Sequence, residues 1–121
     1  MSGPRVLVVD DDEAIRAVID EALSDEGYCV LTARDGADAL RAVTATPPDL
    51  ILLDMRMPVM DGWAFARAYR ELPGPHAPIV VVTAAEDAAL RATQVEAEGY
   101  LAKPFEIGAL LAAVEHHAEA R

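Results

Sequence analysis

Residues 50–58 read Leu50-Ile51-Leu52-Leu53-Asp54-Met55-Arg56-Met57-Pro58: four apolar residues without alternation, stopped by a carboxylate and soon afterwards by a proline. Nearly continuous apolar character predicts a strand covered on both faces, because a strand with one wet face would alternate. Four more runs share this character: Val6 to Val9, Tyr28 to Thr32, Ile79 to Thr83 and Tyr100 to Ala102. The segments between them carry helical spacing. Ile15, Val18, Ile19, Ala22 and Leu23 form one stripe, with Gly27 as a stop, and Ala39, Leu40 and Val43 form a second that Pro47-Pro48 ends. Phe65, Ala66, Tyr69 and Leu72 form a third, closed by Pro73-Gly74-Pro75, and Ile107, Leu110, Leu111 and Val114 form the last, running almost to Arg121. The segment Glu86 to Glu96 has weaker spacing, its apolar residues being mostly alanine. Strands and helices alternating five times predict right-handed crossovers and a parallel, doubly wound α/β sheet with helices on both faces.

The 121 residues suit one domain over 1–121, and 53% hydrophobic content is ample for a single core. No linker, repeat or low-complexity stretch divides the chain, so no output domain is expected within it. Only 5% of residues are aromatic, which points to small side chains between close layers. A formal net charge of -11 disfavours direct binding to nucleic acid, whose phosphates would be repelled, and no basic run offsets it. The single cysteine, Cys29, lies in an apolar stretch and reads as a buried, inert thiol, in keeping with a reducing compartment. No stretch approaches the roughly 20 apolar residues that span a bilayer. A cytoplasmic protein without a membrane role is the expectation.

In doubly wound sheets the functional crevice lies beyond the carboxyl ends of the strands. The first strand is followed by Asp10-Asp11-Asp12, the third by Asp54, the fourth ends in Thr83-Ala84 and the fifth in Lys103-Pro104. Taken singly these are ordinary: an acidic run often caps a helix, and Lys-Pro is commonly a turn. Together they would bring carboxylates, a hydroxyl and an ammonium to one rim. Clustered carboxylates raise each other's pKa unless a cation shares the charge, and a hard divalent ion such as Mg²⁺ suits such oxygens. A carboxylate can also serve as a nucleophile in aspartyl-phosphate chemistry, where charge neutralisation matters more than proton transfer.

With these stretches in view, Val8-Val9-Asp10-Asp11 with Arg16, Leu52 to Gly62, Val82-Thr83-Ala84 and Lys103-Pro104-Phe105, the chain resembles the receiver domain of two-component response regulators over essentially its whole length. The resemblance implies a flavodoxin-like (βα)5 sheet of strand order 2-1-3-4-5. It implies Asp54 as phosphoacceptor, and Asp10, Asp11, Asp54 and the carbonyl of Arg56 around Mg²⁺ or Mn²⁺. Thr83 and Lys103 would contact the phosphoryl group, and Tyr100 would be an aromatic switch. Implied partners are a sensor histidine kinase or phosphotransfer protein and a downstream effector. The fourth helix, fifth strand and fifth helix would form the output face and the surface for any dimer. Such a chain is not an enzyme beyond its own phosphoryl transfer and dephosphorylation.

Gly62 is expected at positive φ, and Lys103-Pro104 as a cis peptide. Glu96 stands where a glycine is common, and the span from Thr83 to Lys103 is about two residues shorter than in many members, which leaves the fourth helix the least defined element. Arg56 and Ala85, two beyond Asp54 and Thr83, point to slow loss of the phosphoryl group. His116 and His117 read as a solvated face. Two alternatives stand beside this: a phosphohydrolase, disfavoured by Arg56 where a second aspartate is usual, and a flavin carrier, disfavoured by an acidic first loop. A receiver-like docking protein without phosphorylation is disfavoured by the complete acid, hydroxyl and lysine set.

Overall fold

The fold was read from a computed structural model in which residues 3–118 are described. Five strands and five helices alternate: β1 (Arg5–Val9), α1 (Glu13–Asp25), β2 (Cys29–Ala33), α2 (Gly36–Ala45), β3 (Leu50–Leu53), α3 (Gly62–Glu71), β4 (Ile79–Ala84), α4 (Ala88–Gln94), β5 (Gly99–Lys103) and α5 (Ile107–Ala118). All strand pairs are parallel, in the order β2-β1-β3-β4-β5. The expected extension of the last helix towards Arg121 lies outside the described residues.

Side-chain alternation along the strands divides the interior into two layers. Leu7, Val9, Ile51, Leu53, Ile79 and Val81 face α2, α3 and α4. Val6, Val8, Leu50, Leu52, Val80 and Val82 face α1 and α5, where Ile19, Leu23, Leu110 and Val114 meet them. Both sets are apolar because both faces are covered, which accounts for the unbroken runs in β1, β3 and β4. Phe65, fully buried, stacks on Tyr69 with ring centroids 5.6 Å apart and anchors α3. Aspartates cap three helices: Asp12 accepts from the Ala14 and Ile15 amides, Asp35 from Asp38 and Asp61 from Ala64.

The structure revises several expectations. Cys29 is only partly buried, because β2 is an edge strand and lacks a neighbour on one side. Val18 and Ile107 leave their stripes and stand exposed. His116 is exposed, but its neighbour His117 is half-buried and packs over Gly99, where an added Cβ would fall 2.7 Å from Nε2. Desolvation, then the neighbouring His116, lowers the His117 pKa. Gly62 is not at positive φ; it opens α3, and glycine is required by close approach. A Cβ there would lie 2.8 Å from both the Asp54 carbonyl oxygen and the Met55 Cα. The Lys103-Pro104 peptide is cis, as is Gly74-Pro75.

Positive φ occurs instead at Gly27, Val59 and Glu96. Gly27 and Glu96 occupy the same place in two helix ends of the same kind. After α1, the Gly27 amide donates to the Ser24 carbonyl and Tyr28 to Leu23; after α4, Glu96 donates to Thr93 and Ala97 to Ala92. This double bond pattern places the residue after the cap in the left-handed region, where a Cβ is unfavourable. Glu96→Gly is therefore expected to stabilise the fold by about 0.5–1 kcal/mol, the relief of strain exceeding the chain entropy that glycine adds to the unfolded state. A urea midpoint that rises checks this. A fall would mean that the Arg70 pairing to Glu96, 3.6 Å, outweighs the strain.

Candidate functional site

β1 ends at Val9 because three carboxylates follow, yet the chain stays tied to the sheet for one more residue: the Asp10 amide donates to the Ala33 carbonyl at 3.1 Å. Asp10 is buried and fully engaged. Its Oδ1 accepts from the Asp12 amide at 2.9 Å, its Oδ2 meets Lys103 Nζ at 2.8 Å, and its carbonyl accepts from Arg16 Nη1 at 2.6 Å. Asp11 is exposed, while Asp12 belongs to the cap of α1 and not to the site.

Asp54 follows β3 on the neighbouring strand end, its amide donating to the Val9 carbonyl at 2.9 Å. It is buried, with Oδ1 accepting from the Met55 amide at 2.9 Å and lying 3.7 Å from Lys103 Nζ. Oδ2 has no hydrogen-bond partner among the described residues. Lys103 thus favours Asp10 and leaves Asp54 with one oxygen unclaimed. Thr83 is buried near the end of β4 and, with Asp54, Arg56 and Lys103, lines a cleft of about 580 Å³. The rest of the rim is apolar: Ile15 and Val18 from α1, Phe105 from the loop after β5 and Ile107 from the start of α5.

Burial pushes the Asp54 carboxyl up to about 6; the Asp10 charge adds to the rise and Lys103 opposes it. Asp10, Asp11 and Asp54 each offer an oxygen within 4.8 Å of one another, a hard, anionic donor set that fits a divalent cation.

The predicted residues Asp10, Asp11, Asp54, Thr83 and Lys103 therefore converge. The Arg56 side chain lines the same cleft but is exposed, its guanidinium 6.0 Å from the Trp63 ring. Tyr100 stands on the edge strand β5, 54% exposed and turned away from the core. Sequence reasoning did not find that Arg16 clamps the Asp10 carbonyl or that Trp63 bridges α3 to α4; neither contact follows from helical spacing.

The profile of the response regulator receiver domain matches residues 6–115. The transcriptional regulatory protein PrrA of Mycobacterium leprae is 43% identical over 117 residues, covering 95% of this chain and 50% of PrrA. The DNA-binding transcriptional regulator NtrC of Escherichia coli K12 is 42% identical over 112 residues, 91% of this chain and 24% of NtrC. The chain thus spans half or less of these curated relatives. Among solved structures, the chemotaxis response regulator CheY4 of Vibrio cholerae superposes with a TM-score of 0.87 at 35% identity, covering 95% of this chain and 98% of that one. The receiver domain of NtrX from Brucella abortus gives 0.86 at 30% identity, with 96% and 99% covered. Strand order, acidic pocket and these likenesses agree: the chain belongs to the response regulator receiver domains, the phosphoacceptor switches of two-component systems.

Proposed function

We propose that Asp54 is the phosphoacceptor and that residues 1–121 act as one receiver domain. The observation that carries this is the buried Asp54 carboxylate with one oxygen unclaimed, set between an acid pair and a lysine on the floor of an open cleft. In the transfer, a carboxylate oxygen of Asp54 forms a bond to phosphorus while the bond from phosphorus to a donor histidine nitrogen breaks, its electron pair returning to the imidazole. Asp10, Asp11, Asp54 and the Arg56 carbonyl would hold Mg²⁺ or Mn²⁺, which when bound shares the charge of the carboxylates and the phosphoryl oxygens. Lys103 would place its ammonium against the phosphoryl group, and the Thr83 hydroxyl would donate to one of its oxygens.

The exposed Val18 and Ile107 beside the cleft favour a protein donor, a histidine kinase or phosphotransfer protein, over a small phosphate ester, since a protein can cover them as the histidine enters. With Tyr100 turned outward, a shift of Thr83 towards the phosphoryl group would open room for its ring, altering the face of α4, β5 and α5 that a downstream effector or a second copy would read. A partial population shift is expected, since near-complete switching from 1:99 needs about 5.5 kcal/mol. The site acts in the cytoplasm, turns over only its own phosphoryl group, and does not itself contact nucleic acid.

Incubation with acetyl phosphate and Mg²⁺ is expected to add one phosphoryl group by intact mass, and Asp54→Asn to abolish the gain. An unchanged wild-type mass with several donors, or a gain that survives Asp54→Asn, overturns the assignment.

A further inference from the structure

Two hollows meet at Arg56. Its side chain lines the acid cleft with Asp54 and Thr83, and also a second hollow with Met57, Pro58, Asp61 and Trp63. Among the described residues it forms no ion pair with a carboxylate, whereas Lys103, the other cation of the cleft, lies 2.8 Å from Asp10 and 3.7 Å from Asp54. Arg56 instead sits by the Trp63 ring at 6.0 Å, the outer range of a cation–π contact.

Trp63 in turn holds α4. Its Nε1 donates to Gln94 Oε1 at 2.8 Å, and its ring lies 5.1 Å from the Arg91 guanidinium. Arg91 is fixed by Gln94 at 3.3 Å and Asp87 at 3.6 Å. The helix itself is short and thinly packed: it has seven residues, no side-chain cap from Asp87, and Ala88 and Ala92 as its buried residues, with Val95 buried just after it. A tie to Trp63 therefore carries unusual weight.

We infer that Arg56 divides its time between the Trp63 ring and the phosphoryl oxygens at Asp54, so that Trp63 conveys phosphorylation to α4 through Gln94 and Arg91. This rests on Asp54 being the acceptor. A phosphoryl group adds nearly two negative charges and three acceptor oxygens at the cleft that Arg56 already lines. A guanidinium can meet two of those oxygens at once, a charge-assisted pairing stronger than a partly exposed cation–π contact. As Arg56 leaves, the ring keeps only the Arg91 cation and its hold on α4 changes. The route does not pass through Tyr100.

Hydrogen exchange of the α4 amides, with and without acetyl phosphate and Mg²⁺ at phosphoryl occupancy matched by intact mass, tests this on the full chain. Wild-type exchange in α4 is expected to change about twofold to fivefold, the size of one cation–π contact. Compared at equal phosphoryl occupancy, whatever the rate of uptake, Trp63→Leu and Arg56→Ala should each lose that change. Arg56 is exposed, so its variant folds even if Trp63→Leu does not. A full α4 response in either folded variant, or none in phosphorylated wild type, overturns the inference while leaving the acceptor in place. Failure of wild type to gain mass removes the acceptor reading, and the inference with it.

Discussion

Lys103→Met is expected to destabilise the metal-free protein by about 2–3 kcal/mol at pH 8. The lysine lies within 4 Å of two buried carboxylates, 2.8 Å from Asp10 and 3.7 Å from Asp54, and methionine keeps its length while removing its charge. Two anions then share a desolvated pocket without a cation. Removing one partner of a fully buried pair costs about 3–5 kcal/mol; the Lys103 side chain is 22% exposed, so the lower figure applies. The cost needs ionised carboxylates. With Lys103 present Asp54 titrates at about 6, and without it higher still, so the penalty is complete only at alkaline pH and shrinks as Asp54 takes up a proton below. Urea unfolding in EDTA at pH 8 and pH 5 measures both values, and millimolar Mg²⁺ should restore part of the loss. Equal midpoints for wild type and variant at pH 8 would show that Lys103 does not neutralise the pocket.

The parts of this molecule legible in the sequence are those governed by periods of two and 3.6 residues. β3 was predicted at its observed bounds, Leu50 to Leu53, because a central strand is apolar along its whole length. The edges of the sheet were less well defined: β5 runs from Gly99 to Lys103, two residues longer than its apolar run, since an edge strand tolerates polar positions. The site was legible for the same reason. Parallel strands end on one rim, so residues after successive runs must meet, and Asp10, Asp54 and Lys103 do.

Contacts between distant segments leave no such trace. Gly62 looked like a positive-φ residue, whereas its small size serves the passage of α3 over Asp54 and Met55. Val18 and Ile107 fit helical stripes but rim the cleft, because a functional opening interrupts the apolar face that periodicity would complete. The strained Glu96 belongs with them: the absence of glycine was visible, but only the bond pattern at the end of α4 gives it a cost.

Asp54→Asn should stabilise the metal-free protein at pH 8 by about 1–2 kcal/mol, and the gain should vanish near pH 4. The Asp54 carboxyl titrates at about 6 in the folded protein against 3.8 for an unperturbed aspartate, chiefly through burial and then through the Asp10 charge. A raised folded pKa means that the folded state holds the proton more tightly than the unfolded state. Wild-type stability should therefore fall as pH rises from about 4 to about 6, and stay reduced above. Asparagine keeps the shape and cannot ionise, so its curve lacks that fall. The full shift corresponds to about 3 kcal/mol at 1.36 kcal/mol per unit, and relaxation of the pocket with access of water from the cleft lowers the expected value. Mg²⁺ should narrow the gap from the other side, because an ion held by the folded wild type stabilises that state alone. Parallel pH profiles for the two proteins in EDTA would contradict the burial of a charged Asp54. A gap that Mg²⁺ leaves untouched would count against Asp54 as a ligand. The same ionisation that weakens the empty fold would be what draws in the cation and readies the oxygen for phosphorus, so the stability forgone at Asp54 measures how far the pocket is built for its occupied state.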